Sequence, residues 1–168
     1  RRRASLSTDI PGRLIEMNVE EGTRVQRGDV VARLDSRELQ ASLARLEAER
    51  DGGLAEEERA RLALERQQSL SSTDDLSRSE LDTARATARA ASARVASLEA
   101  SISEIETRID KSTVYAPFSG VVVEKNAEVG EVVSSIGGGA NARGSVATLV
   151  AFDTLEVQIE LAQTPLDA

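Results

Sequence analysis

The chain has 168 residues, a net charge of −8, and neither cysteine nor histidine. This excludes a disulfide framework, thiol chemistry, Cys/His zinc sites and any His-based triad. The acidic balance argues against nucleic acid as a partner, because phosphate contacts need clustered Lys and Arg. Aromatics are 2% and charged residues 30%, the profile of long exposed helices beside a small core rather than of a large globule.

Arg1, Arg2 and Arg3 form a basic run that reads as a solvated strand start or a juxtamembrane segment. Residues 5–35 read as short strands and turns. Arg13–Met17 is a predicted strand, Glu21-Gly22 a turn, Thr23–Gln26 a short extended piece, Arg27-Gly28-Asp29 a second turn, and Val30–Leu34 a further β run. Arg27-Gly28-Asp29 spells a cell-adhesion tripeptide, but a Gly-Asp turn explains it without a partner. Asp35-Ser36 supplies N-cap residues immediately before Leu-rich periodic sequence. Leu39, Leu43 and Leu46 follow at helical spacing. Asp51-Gly52-Gly53 is expected to weaken that helix, since paired glycines are costly in a helix interior. Helical sequence resumes over Leu54–Leu70, and residues 71–76 read as a reversal. Ser77 or Ser79 can cap a second helix, with Ser77 and Glu80 at capping-box spacing.

The second helix carries an unbroken alternation of 3 and 4 spacings: Leu81, Ala84, Ala88, Ala91, Val95, Leu98, Ile102, Ile105 and Ile109. This is a coiled-coil seam. In an antiparallel hairpin, facing residues have a constant sum of numbers. Leu39 with Ile109, Leu43 with Ile105, Leu46 with Ile102, Ala60 with Ala88 and Leu64 with Ala84 all sum to 148, which places the turn near residue 74. The same register puts Arg50, Gly53 and Glu57 on the seam. They are poor core residues, so a looser middle, a local register shift or a partner chain is expected there. Beyond Lys111-Ser112, Thr113–Gly120 reads as a strand ending in a Pro-bearing turn. Val121–Val123, Val132-Val133 and Ala147–Phe152 read as strands, Ser134–Gly144 as a Gly-rich loop, and Thr154–Leu161 as the opening strand of a further β domain. No apolar stretch approaches the ~18–20 residues of a membrane span and no signal peptide is visible. The sequence starts abruptly at Arg-Arg-Arg and stops just after a strand-like segment, so we expect a piece of a longer protein, with any leader or anchor outside it.

The chain also repeats itself at an offset of 108 residues. Gly12, Glu16, Asn18, Glu20, Gly22 and Val25 recur as Gly120, Glu124, Asn126, Glu128, Gly130 and Val133, and apolar 14–15 match 122–123. The reading is an α+β protein: one small β domain built from two half-motifs, with a long antiparallel helical hairpin inserted between them. The expected boundaries are 1–35 and 112–152 for the two halves, 36–111 for the hairpin, and 153–168 for the start of a truncated β-barrel domain.

This arrangement resembles the periplasmic adaptors of tripartite efflux and secretion systems, the membrane fusion protein or HlyD-like family. The resemblance rests on Gly12–Asp35 and on Val114–Val133, with Val-Tyr-Ala-Pro-Phe-Ser-Gly and then Val-Gly-Glu-Val-Val. It implies a lipoyl-like barrel-sandwich hybrid from which the hairpin projects. It also implies a periplasmic location with an inner-membrane anchor, and a homo-oligomeric ring, trimer or hexamer. The implied partners are an inner-membrane transporter of RND or ABC type and a TolC-type outer-membrane channel. Family members that dock such a channel carry Arg, Leu and Ser at the hairpin tip, spaced by 4 and then 7. Arg66, Leu70 and Ser77 stand at those spacings. Leu70 would supply an apolar knob, Arg66 a fork of donors and Ser77 a hydroxyl; a solvated arginine, a last seam leucine and an N-cap serine are the plainer alternatives. Two other functions stay open on the residues alone. A biotinyl or lipoyl carrier shares the half-motifs, and Asp110-Lys111 faintly matches the lipoyl Asp-Lys pair, but a coil-end lysine near a helix C-terminus explains Lys111. A purely structural coiled coil would not need the repeat. No acid/base pair, phosphate loop, metal site or cofactor site is recognisable, so no enzyme is expected.

Overall fold

The computed structural model describes residues 2–71, 78–134 and 144–151, without the side chains of residues 70 and 71. Within them, the chain up to Asp35 and from Ser112 onward forms one unit, and Ser36–Lys111 forms a second.

The first unit is built from β1 (Arg3–Ser7), β2 (Gly12–Met17), β3 (Arg24–Val25), β4 (Val30–Leu34), β5 (Thr113–Tyr115), β6 (Gly120–Lys125), β7 (Val132–Val133) and β8 (Ser145–Val150). They form two four-stranded sheets, ordered β1-β8-β6-β3 and β5-β4-β2-β7. Replacing each of β1–β4 by the strand four places later, and the reverse, converts one sheet into the other. The sequence repeat is therefore a structural pseudo-two-fold. Each sheet mixes strands from both halves, so neither half forms a sheet by itself.

Equivalent hydrogen bonds lock the halves together. The Gly22 N–H donates to the Val122 carbonyl (2.8 Å) and the Gly130 N–H to the Leu14 carbonyl (2.7 Å). In return, the Val122 N–H donates to the Thr23 carbonyl (3.0 Å) and the Leu14 N–H to the Glu131 carbonyl (2.8 Å). Both glycines have positive φ, 87° and 99°, which a side chain would strain at these turns. The Thr23 hydroxyl accepts from the Glu20 N–H, and the Glu131 carboxylate does the same for the Glu128 N–H. Both sheets also break register at the same place, between Leu14 and Glu16 in one and between Val122 and Glu124 in the other. The intervening Ile15 and Val123 are exposed.

The core follows the alternation of the strands. Leu14, Val31, Val122, Val146 and Leu149 are completely buried, with Leu6, Val25, Leu34, Val114 and Val133 around them. Apolar burial of this kind drives the unit together at roughly 25 cal/mol per Å². Leu6 and Val114 are equivalent in the repeat, which extends it to β1 and β5, strands that lie upstream of the match visible at Gly12. The observed β8 spans Ser145–Val150, two residues ahead of the expected start at Ala147. Thr154–Leu161 and the expected barrel start at 153–168 lie outside the described residues, as does 135–143 of the predicted loop.

The second unit is α1 (Arg37–Ser71) and α2 (Arg78–Lys111). Ser36 precedes α1: its carbonyl accepts the first helical bond from the Gln40 N–H (2.9 Å), and its hydroxyl accepts from Gln40 Nε2. All nine seam residues proposed for α2 are at least half-buried, Val95 and Ile102 most of all. An ideal Cβ on Gly53 would lie 3.4 Å from Val95 Cγ2, which confirms the antiparallel register, since 53 and 95 also sum to 148.

The weak middle expected at Asp51-Gly52-Gly53 is absent. α1 runs through it without a break. Gly53 is buried on the seam, and its missing side chain is the space that β-branched Val95 fills. Packing outweighs the propensity cost of about 1 kcal/mol for a glycine in a helix. Arg50 is no core defect either: it is only partly buried, and its guanidinium turns to Asp51 at 2.8 Å.

Candidate functional site: the hairpin and its tip

Each helix of about 35 residues is about 50 Å long at 1.5 Å per residue. A helical arm of that length buries only one narrow stripe and leaves the rest of its surface free for partners. α1 lines its outer surface with ion pairs between neighbouring turns. Arg45 meets Glu49, and Arg61 is held between Glu58 (2.7 Å) and Glu65. Arg61 hydrogen-bonds Glu58, which holds that carboxyl below the usual carboxylate range. Arg94 and Glu56 form an ion pair across the hairpin at 3.5 Å.

Arg66 differs from these. It is exposed on α1 and has no ion pair among the described residues. Its backbone carbonyl accepts from the Ser69 hydroxyl at 2.8 Å. A free guanidinium one turn before the helix end is available to a partner, with five donors in a fixed fork. Leu70 belongs to the last turn of α1, but its side chain lies outside the described residues. Ser77 directly precedes Arg78, the first residue of α2, and also lies outside them. The turn expected near residue 74 falls in the same segment, outside the described residues.

The two lysines sit where a carrier lysine would not be placed. Lys111 is the last residue of α2. Lys125 ends β6 and is clasped by Glu128 (3.1 Å) and Glu20 (3.4 Å), one carboxylate from each half of the β unit. The Glu128 hydrogen bond first, and then Glu20, hold its ammonium above the ordinary lysine range, which favours the charged form over a nucleophilic amine. The Arg27-Gly28-Asp29 turn is bound into the unit: the Asp29 carboxylate accepts from the Gln26 N–H (2.7 Å), and the Arg27 N–H donates to the Ser119 hydroxyl (3.1 Å). Among the described residues no cluster of His, Cys, Asp or Glu could hold a metal, and no helix is long and apolar enough to cross a membrane.

Sequence reasoning missed part of the repeat. Val31-Ala32-Arg33-Leu34 in β4 corresponds to Val146-Ala147-Thr148-Leu149 in β8. The Asn18 N–H donates to the Val31 carbonyl and the Asn126 N–H to the Val146 carbonyl, both at 2.9 Å. The offset here is 115 rather than 108, because seven more residues precede the last strand in the second half. The tetrapeptide Val-Ala-x-Leu was the available signal.

Comparison with known proteins agrees with this construction. Residues 2–136 match the family model of the CzcB-like barrel-sandwich hybrid domain. The chain is 30% identical over 169 aligned positions to the multidrug resistance protein MdtA of Photorhabdus laumondii, covering 98% of this chain and 40% of that protein. The chain thus spans about two fifths of the length of this relative. Among solved structures, a membrane fusion protein of Streptococcus pneumoniae superimposes with a TM-score of 0.64 at 20% identity, over 89% of this chain and 63% of the other. ZneB from Cupriavidus metallidurans does so with a TM-score of 0.55 at 20% identity, over 89% and 44%. The interlocked half-motifs, the helical insertion and the family match lead to one conclusion: this chain belongs to the membrane fusion protein family, the adaptors built on a barrel-sandwich hybrid.

Proposed function

We propose that the chain is the central part of a periplasmic adaptor that links an inner-membrane transporter, of RND or ABC type, to a TolC-type outer-membrane channel. The observation that carries this reading is the splice itself. The hairpin leaves and re-enters the β unit between two hydrogen-bonded neighbours, β4 and β5, where Arg33 pairs with Thr113 and the Leu34 N–H donates to the Ser112 carbonyl (2.8 Å). The β unit thus anchors a helical arm at both ends, a construction suited to bridging. The name of the MdtA relative supports small toxic molecules as the exported cargo. Copies would assemble as a ring, trimer or hexamer, with the hairpins forming a tube and the β units a collar.

The tip at Arg66, Leu70 and Ser77 would meet the channel. Leu70 would seat as the apolar knob, and Arg66 and Ser77 would hydrogen-bond around it. The test is Leu70→Asp in the full-length protein, in a host that depends on it for export. Export should fail while helical content and thermal stability stay unchanged. Export that persists at the parental level would remove the tip assignment.

A further inference from the structure

We infer that the hairpin seam is the clasp of the β unit: the two halves stay folded on one another because α1 and α2 hold their ends together. Four strand pairings join the halves: β1 with β8, β2 with β7, β3 with β6 and β4 with β5. Each pairs a residue before Asp35 with one after Ser112. Only β2 with β4 and β6 with β8 are pairings within a half. The β unit therefore has no local route by which one half finds the other.

The connection between them is residues 36–111, and its condition decides the cost of closure. With the seam formed, facing residues have nearly the same number sum in the β4–β5 pairing and, separately, within the hairpin. Val30 pairs with Tyr115, Ala32 with Val114 and Arg33 with Thr113, number sums of 145 to 146. Gly53 then faces Val95 at a sum of 148. Asp35 and Ser112 flank the hairpin in sequence and adjoin the paired strands β4 and β5. With the seam melted, the same residues become a long flexible loop. Closing it, rather than a connection of about four residues, is on the order of 80-fold less probable by the three-halves power of loop length. The seam that supplies this closure is thin: among the described residues of the helices only Gly53, Ala60, Val95 and Ile102 are buried.

The chain carries its own reporters. Tyr115 is the sole tyrosine, there is no tryptophan, and it lies on β5 opposite Val30. Its emission reports the β unit, while the far-ultraviolet helical signal is dominated by the hairpin. The experiment is urea unfolding of the full chain carrying Val95→Asp, with the milder Val95→Ala beside it in case the first does not fold. Both signals should move to lower denaturant, and the Tyr115 transition should lose up to the 80-fold closure factor in its folding equilibrium. A Tyr115 transition that stays in place while the helical transition shifts would overturn the inference.

A second arm separates closure from any other influence of the helices. Arg13 and Val132 are cross-strand partners between β2 and β7, both are exposed, and the chain has no cysteine of its own. Arg13→Cys with Val132→Cys, oxidised in the Val95→Asp background, replaces the clasp by a covalent tie. It should restore the Tyr115 transition and leave the helical signal low. Failure of the oxidised form to recover the Tyr115 transition would equally overturn the inference.

Discussion

The β unit and the hairpin solve the problem of a small core in opposite ways. The β unit spends few residues and buries them completely: Leu14, Val31, Val122, Val146 and Leu149 have no exposed surface. Its strand pairings between the halves join chain segments 80 or more residues apart, such as Arg33 and Thr113 or Arg3 and Val150. The hairpin spends 69 residues in two helices, 35 and 34, yet its best-buried side chain, Val95, keeps 5% exposure. Its contacts are set by a heptad seam, and its outer faces carry ion pairs that contribute little. The difference teaches where each unit tolerates change. The β unit is intolerant at points where backbones meet, whereas the hairpin is sensitive along one stripe and permissive elsewhere. That permissiveness leaves most of the helix surface free to vary.

The largest expected effect breaks the β unit. A Cβ on Gly120 would sit 2.4 Å from the Val150 carbonyl oxygen, so Gly120→Ala must push β6 and β8 apart. We expect a loss of about 3 kcal/mol or more, measured by urea unfolding of the Tyr115 signal. Its repeat equivalent sharpens the contrast: a Cβ on Gly12 meets only the Leu34 side chain, at 3.2 Å. Gly12→Ala should cost ~1 kcal/mol, because a side chain can yield where a backbone cannot. The hairpin comes next. Val95→Ala removes two methyl groups from the seam opposite Gly53 and should lower helical stability by ~2 kcal/mol. The smallest effect has the opposite sign. Gly52 is exposed and a Cβ there meets nothing within 4 Å, so Gly52→Ala should stabilise the hairpin by roughly 0.5–1 kcal/mol. A thermal midpoint that falls instead would show that the middle of α1 needs its freedom.

Much of this was legible because the decisive constraints are short-range in sequence. Gly22 and Gly130 mark turns that require positive φ, and the periodicity from Leu81 to Ile109 marks one helix face. The facing register followed because a seam leaves few alternatives. Three things did not read out. The β4–β8 equivalence was hidden by a change of offset. β1 was not placed as a strand in its own right, since Leu6 alone carries its match to Val114. Gly53 read as a defect because propensity is a property of one helix, while its value here lies in Val95 on the other. The tip proposed at Arg66, Leu70 and Ser77 rests on family likeness alone, because nothing in the spacing of these residues fixes a partner.

The measurement that bears most directly on the central claim is a cross-link between the halves. Arg24 on β3 and Val121 on β6 are partners across the pseudo-two-fold, 97 residues apart in a chain without cysteine. Arg24→Cys with Val121→Cys, oxidised at low concentration, should give an intramolecular disulfide in high yield, seen as a compact monomer on a non-reducing gel and as the linked peptide by mass spectrometry. Free thiols, or only intermolecular dimers, would mean that the two half-motifs do not close on each other and would contradict the account.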